Sequence, residues 1–321
     1  MKRGLLVAAS VFLLGAGQAW QWHLPSGIAP PPVPADNPMR AAKVELGRRL
    51  FYDADLSRDG TIACATCHEQ RHGFADGNAT HPGVEGGKGR RNVPGLANVA
   101  WFAPLTFADG GQRTLESQVA VPVMGVHPVE MGMAGQASAI AARLSHDDCY
   151  RRMFADAFPE TGGRIDFANM ARALASFERT LVSYDSAWDR HTLGPDARDG
   201  ERVFRKDCAG CHAGVRFTDL RFHRLGSVDR DAPDQGLLET SGREADRGLF
   251  RTPSLRNVTL SGPWWHDGSA VTLDQAIARH GIALQQGSVV GLVAFLHALD
   301  DQTFVTNPAL GLPATACGKA L

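Results

Sequence analysis

The apolar positions of this chain recur mostly at helical spacing. Phe167, Met170, Leu174, Phe177 and Leu181 follow one another at intervals of three and four, behind Asp166, a residue type suited to a helix N-cap. The pattern predicts an amphipathic helix over about residues 166–190, with this stripe in a core. Further helices are predicted over residues 39–52 and 196–206. Thr272-Leu-Asp-Gln275 has the form of a capping box and opens a short helix predicted to run to His280. A last helix is predicted over residues 288–299, with Val289, Leu292, Val293, Leu296 and Leu299 inward. Strand-like alternation is scarce. Residues 73–113 are rich in Gly and Asn and lack periodic apolar positions, so they read as long irregular loops, which are uncommon unless functional. The fold class is mainly α.

The N-terminus follows a different pattern. Lys2 and Arg3 precede an apolar run from Gly4 to Leu14, and the small residues Gly17 and Ala19 follow. This predicts a secretory signal over residues 1–19, cleaved after Ala19. The run is shorter than the roughly 20 residues a membrane span needs, so no span is expected after cleavage. A Pro-rich stretch, with Pro30-Pro31-Pro32-Val33-Pro34 at its centre, predicts an extended surface leader over residues 20–38. The remaining length suits two domains, taken as 39–190 and 191–321.

Lys and Arg number 33 against 34 Asp and Glu, evenly mixed, so neither nucleic acid nor an anionic membrane is implied as partner. The 6 Cys alter the picture, because four of them sit in two identical contexts. Cys64-Ala-Thr-Cys67-His68 and Cys208-Ala-Gly-Cys211-His212 are both Cys-x-x-Cys-His, the attachment signature of a covalent c-type haem. The two thiols bond the porphyrin vinyl groups and the His supplies an axial nitrogen. A zinc site would need further clustered Cys or His beside each motif. The first motif is expected in a loop. In both halves the order is helix, motif, long loop, helix, so two cytochrome c-like domains with one haem each are expected. Attachment of such haems outside the cytoplasm agrees with export and a periplasmic location. Cys149 and Cys317 remain, and in an oxidising compartment they are free to pair or to stay apart.

Beyond the haem motifs, several ordered segments recur. They are Leu46-Gly-Arg-Arg-Leu50-Phe51-Tyr52-Asp53, Arg91-Asn92-Val-Pro94-Gly-Leu96-Ala-Asn98, Leu115-Glu-Ser-Gln118, His127-Pro-Val-Glu130-Met-Gly132, Arg251-Thr-Pro-Ser-Leu-Arg-Asn257 and His266-Asp-Gly268. With them the chain resembles the bacterial di-haem cytochrome c peroxidase family, including its MauG-like branch, over about residues 36–308. The segments starting at Asn37 and ending at Pro308 are most similar to the branch encoded with methanobactin biosynthesis, whose di-haem enzyme is thought to oxidise a Trp on a partner protein.

The resemblance implies roles residue by residue. The distal ligand of the second haem lies fourteen residues after the His of His-x-Gly, which here is His280. Read alone, His280 would be a solvated helix-end residue favouring the helix dipole. The peroxide-reducing members carry Met there and the MauG-like branch Tyr. Ligation by His212 and His280 would close this iron and make it an electron reservoir. The first haem, on His68, is then the peroxidatic one. The resemblance places Gln118 and Glu130 on its open face, Glu130 for general acid–base work on hydrogen peroxide. Pro122 matches a distal Pro that cannot ligate iron. A capping His occurs in this loop in the peroxide-reducing members. His81 is the nearest candidate but lies three residues out of register, which favours an open or water-bound iron, and His72 is too close to His68 to reach the opposite face. The family's inter-haem Trp is replaced by Phe107, with Trp101 six residues earlier as a substitute outside the register. One calcium ion is implied at Asn92, Ser261 and Pro263, through an amide oxygen and two carbonyls. His266 is expected to be structural or near a haem propionate, Trp264 and Trp265 to face the second haem, and His127 has no assigned place. The partners implied are hydrogen peroxide and either a small periplasmic electron donor or a protein substrate. Peroxide-reducing members are dimers, which leaves a homodimer open. A peroxidase that reduces peroxide to water, and an electron-transfer cytochrome without catalysis, are the alternatives.

Overall fold

The computed structural model describes residues 20–226 and 230–320; the expected signal segment lies outside them. The described residues are mainly helical. In chain order the helices are α1 (Ala41–Phe51), α2 (Cys64–Cys67), α3 (Leu115–Gln118), α4 (Ala120–Met124), α5 (Ala137–Ser145), α6 (Asp148–Ala157), α7 (Phe167–Glu178), α8 (Pro195–Asp207), α9 (Leu238–Ser241), α10 (Leu273–Ala278), α11 (Gln286–His297) and α12 (Gln302–Thr306). Two antiparallel two-residue pairs complete the list: β1 (Phe222–His223) with β2 (Phe250–Arg251), and β3 (Thr315–Ala316) with β4 (Lys319–Ala320).

Each half is organised by one pair of helices that cross at glycine. In the first, α1 packs on α7, and a Cβ on Gly47 would lie 1.9 Å from the Ala173 carbonyl oxygen. In the second, α8 packs on α11, and a Cβ on Gly200 would lie 1.8 Å from the Gly291 carbonyl oxygen. Only glycine allows backbones this close. Around the first crossing Leu46, Leu50, Phe51, Phe154 and Phe177 form one apolar cluster; around the second Phe204, Phe217, Leu292 and Phe295 form another. The chain end does not stay with the second cluster. Phe304 and Leu310 pack into the first, and Cys317 is disulfide-bonded to Cys149 on α6, with 5.7 Å between the Cα atoms.

The expected helices form, with shifted ends. Asp166 caps α7 by accepting from the Asn169 N–H at 2.8 Å, but the helix stops at Glu178 rather than near residue 190. Asn98 accounts for the stop. Its backbone N–H donates to the Leu181 carbonyl at 2.7 Å, and its side chain bonds both backbone groups of Ser183, so this stretch runs extended. Helix α10 ends before His280, and Gln275 reaches back to the N–H of Val271 at 2.9 Å, one residue before the cap. In α11 the inward face carries Gly291, Leu292, Phe295 and Leu296, with Val289 and Val293 half-buried, because the crossing requires Gly291 toward α8. The first haem motif forms the single turn α2 instead of a loop. Residues 73–113 are irregular apart from a 3-10 turn at Val99–Trp101 and isolated antiparallel bridges at Ala75 and between Pro82 and Lys88. The leader is extended and pinned at intervals: Ala29 accepts from the Trp101 indole N–H at 3.1 Å, and Asn37 is fully buried.

A short repeat links the halves. Pro94-Gly-Leu96-Ala-Asn98 and Pro253-Ser-Leu255-Arg-Asn257 each end in an Asn at positive φ, 60° and 59°, that starts a 3-10 turn. Both Asn side chains meet at Ser183. Asn257 donates to the Ser183 hydroxyl at 3.0 Å, that hydroxyl donates to Asp301 at 3.1 Å, and the Asp301 N–H returns to Asn257 at 2.7 Å.

The last residue of α7, Glu178, is 8% exposed and makes no side-chain hydrogen bond with any described residue. Burial pushes its carboxyl up to about 8, Arg179 opposing and Glu116 adding to the rise. Because the folded state then holds this proton more tightly than the unfolded chain does, its contribution is most favourable below about pH 4.5 and is lost as pH climbs toward 8. Glu178→Gln is expected to flatten that decline in a urea-denaturation series on the di-haem protein. A series as steep as that of the unsubstituted protein would refute the assignment. Gly200→Ala is expected to lower stability by roughly 1–3 kcal/mol through overpacking, while Gly287→Ala, where the added Cβ meets nothing within 4 Å, leaves it unchanged or slightly raised.

Candidate functional site

The second haem motif follows directly on α8, and its His212 is half-buried in a tight turn, its N–H donating to the Cys208 carbonyl at 3.1 Å. The His212 Nδ1 lies 3.2 Å from the Phe217 carbonyl oxygen. Burial pushes this imidazole down to about 4, so it is neutral at pH 7. With Nδ1–H donating to a carbonyl, Nε2 presents its lone pair to a metal, the usual second-shell arrangement of a ligating His. His280, just past α10, is set the same way, its Nδ1 lying 2.8 Å from the Ala276 carbonyl.

The two ring centroids lie 6.3 Å apart, with the planes tilted by 56°. A metal–imidazole bond of about 2 Å on each side, plus about 1 Å from nitrogen to ring centre, needs about this separation. A cavity of about 770 Å³ contains both rings together with Cys208 and Cys211, and Phe204, Trp264, Ile277, Leu292 and Leu296 give it apolar walls. All four motif cysteines are unpaired and so available for thioether bonds. These features fit a covalently attached haem. Trp265, at the unusual φ of 80°, sets its ring edge-on to His280 at 5.7 Å.

Other expected residues line the same cavity. Phe107 and Asn92 do, as do Ser261 and His266. Trp101 and Pro263 are not among its lining residues, and Trp101 packs on Tyr184 at 5.8 Å. The Asn92 amide donates to the Asn78 and Ala79 carbonyls at 3.3 and 3.1 Å, while its Oδ1 accepts from no described residue. His266 stacks on Phe250 at 4.0 Å and faces Asp234 at 3.5 Å.

At the first motif, the His68 Nδ1 lies 2.8 Å from the Phe74 carbonyl, the Pro94 carbonyl lies near the ring, and burial again pushes the imidazole below its ordinary range. Pro94 and Pro253 are equivalent in the repeat, and each offers its carbonyl to the motif His of its own half. Gln118 ends α3 and Pro122 lies in α4. Pro122 has no N–H to give the Gln118 carbonyl, which divides what would be one helix. Four residues apart, the two side chains fall on one side of it. The Pro122 carbonyl accepts from the Met131 N–H at 3.0 Å, which brings Glu130 alongside. Burial pushes the Glu130 carboxyl above its ordinary range, opposed by the neighbouring His81. Cys67 is close enough for the Glu130 charge to raise its thiol, so Glu130, Pro122 and His81 gather beside this motif.

Two contributors were not anticipated. Asp76, fully buried, holds the His81 Nδ1 at 2.7 Å; its place five residues before His81 is the only trace in sequence. Gly83 lets the His81 loop lie against the segment carrying Glu130, since a Cβ there would meet the Val129 carbonyl oxygen at 1.8 Å. His127 is exposed on the surface nearby.

With these features in place, comparison with known proteins is informative. A family model described as di-haem cytochrome c peroxidase matches residues 41–197. The methylamine utilization protein MauG of Methylophilus methylotrophus is 33% identical over 318 residues, covering 90% of this chain and 92% of the relative. The cytochrome c551 peroxidase of Nitrosomonas europaea is 32% identical over 315 residues, covering 93% and 92%. The crystal structure of a MauG-like protein associated with microbial copper homeostasis superposes with a TM-score of 0.87 at 35% identity, over 92% of this chain and all of that one. The chain belongs to the di-haem cytochrome c peroxidase and MauG family of oxidoreductases, whose members carry two c-type haems.

Proposed function

We propose that this protein is an exported peroxidase with unequal haem centres. His68 would hold the haem whose chemistry acts on hydrogen peroxide, and His212 and His280 would hold the one that supplies storage for an oxidising equivalent. Its oxidising power is delivered to a residue of a partner protein, a Trp being the favoured target. The observation that carries this reading is the pair His212 and His280 with ring centroids 6.3 Å apart, whereas the imidazole near His68, that of His81, is held by Asp76. Bound haem supplies the redox chemistry at both centres. The protein's own part at the first is to handle protons. The Glu130 carboxylate, in a dry setting, takes a proton from one peroxide oxygen and returns it to the other. Gln118 donates a hydrogen bond to the bound peroxide. Pro122 offers no ligating atom and keeps that face clear.

The 35% identity to a MauG-like protein linked to copper homeostasis supports delivery to a protein substrate. The similarity to cytochrome c peroxidases and the clamping of His81 by Asp76 support a second reading, in which His81 caps the first iron at rest and peroxide is reduced to water with electrons from a small redox protein. The Cys149–Cys317 bond supports a periplasmic location, and no helix among the described residues is long and apolar enough to cross a membrane. A calcium ion on the Asn92 Oδ1, with the Ser261 and Pro263 carbonyls, is part of the proposal. Phe107 is proposed as the residue between the haems.

Electron paramagnetic resonance of the resting ferric protein is expected to show one high-spin and one low-spin haem, and His280→Ala is expected to convert only the low-spin signal. Two low-spin signals, unresponsive to peroxide after half-reduction, would defeat the peroxidase reading. Glu130→Gln is expected to lower peroxide turnover by about 10²–10⁴-fold with both haems retained. In the unsubstituted protein the acid limb of the rate profile should lie above the ordinary carboxyl value of 4.5, because the base must be ionised, and that limb should vanish in the variant.

A further inference from the structure

Three arginines are buried among the described residues: Arg179, Arg251 and Arg256. Two of them have carboxylate partners. Arg256 forms a two-pronged pair with Asp189 at 2.7 and 2.8 Å, and Arg179 is bridged to Glu116 at 2.8 Å. Arg251, 3% exposed, has no carboxylate partner. Its Nε donates to the Thr106 carbonyl, Nη1 to that of Thr252 and Nη2 to that of Leu105, each at 3.1 Å. The rings of Phe102 and Phe107 lie 5.6 and 5.9 Å from the guanidinium carbon. Burial alone pushes this group down to about 10, with no acidic neighbour contributing.

A guanidinium carries five N–H donors, and three are used here. Carbonyl dipoles satisfy hydrogen bonds but do not neutralise a full charge, and a buried charge is retained only where something opposite meets it. Arg251 lines the cavity that holds His212 and His280, so an occupant of that cavity can provide the missing anion. A haem fixed by Cys208 and Cys211 at its vinyl edge carries its only two carboxylates on the other edge.

We infer that Arg251 docks a propionate of the second haem, turns the acidic edge of that haem toward Phe107 and the first half, and holds its reduction potential up. The inference rests on the proposed assignment of His212 and His280 as that haem's ligands. A cation beside the propionate offsets negative charge near the iron and favours the reduced state. Taking the cation away stabilises the ferric form. The backbone already directs this residue to the junction, since the Arg251 N–H donates to the Phe107 carbonyl at 2.8 Å.

Spectroelectrochemical titration of the intact di-haem protein tests this. Arg251→Gln is expected to shift the reduction equilibrium of the low-spin haem tenfold or more toward ferric, which is about 59 mV per tenfold for one electron, with a smaller change at the other haem. Arg251→Lys, which keeps the charge, should retain most of the potential. A low-spin potential unmoved in Arg251→Gln, or an equal shift at both haems, overturns the inference. If Arg251→Gln yields no di-haem protein, resonance Raman spectra of the unsubstituted protein and of Arg251→Lys decide: the propionate bending band should sit at its hydrogen-bonded position and move in the Lys variant, and a band at the unbonded position overturns the inference. Absence of a bis-imidazole low-spin signal in the unsubstituted protein would instead defeat the haem assignment. That signal present with an unmoved potential defeats Arg251 alone.

Discussion

The relation between the two halves depends on a buried polar knot at Ser183. Its backbone is bound by Asn98 from the first half, and its hydroxyl joins Asn257 from the second to Asp301. Asp301 in turn accepts from the Asp185 N–H at 3.0 Å and caps α12 through the Phe304 N–H at 2.9 Å. Such a network is stabilising only while every member is satisfied, because each orphaned group costs about 1–3 kcal/mol. It follows that neither Asn can shift alone. Four residues before each Asn is the Pro whose carbonyl faces the motif His of that half, so the knot also fixes where the two imidazoles stand.

From that frame one device recurs at the expected haem-binding histidines, and also at His72 with the Leu260 carbonyl. His68, His212 and His280 each direct Nδ1 to a backbone carbonyl, two of them five or six residues further on and one at the preceding helical turn. This settles the tautomer without a second titratable group and leaves Nε2 for a metal. The halves differ in what stands opposite the motif His. One has an imidazole at 6.3 Å, and the other has a buried carboxyl beside a proline and a His held by Asp76. On the proposed function, a closed centre and a reactive centre would be made from one repeated scaffold by changing the distal residues.

Charge is handled differently at different depths. Glu178 avoids the cost of a buried anion by keeping its proton, whereas Arg256 and Arg179 keep their charge beside carboxylates. Arg251 has neither solution within the described residues, which is why we infer that the cofactor completes its electrostatics.

Much of this was legible in the sequence. The helical stripe of α7 with its Asp166 cap and the two Cys-x-x-Cys-His motifs are local in the chain, and local spacing determines them, whereas the fourteen-residue step from His266 to His280 was implied by the family resemblance. The end of α7 was not legible, because Asn98, more than eighty residues away, captures the backbone at Ser183 before the helical pattern runs out. Nor was the pairing of Cys149 with Cys317, which requires the chain end to return to α6. Nor does the sequence show why Gly47 and Gly200 are needed, since the facing backbones that require them come from distant helices. By itself the sequence determined what chemistry is present and in which order, since motif spacing and helical period are properties of neighbouring residues. Only the tertiary structure decided that Phe107 rather than Trp101 lines the second cavity, that Asp76 holds His81, and that Arg251 is buried without a carboxylate, because each depends on which distant segments exclude water together.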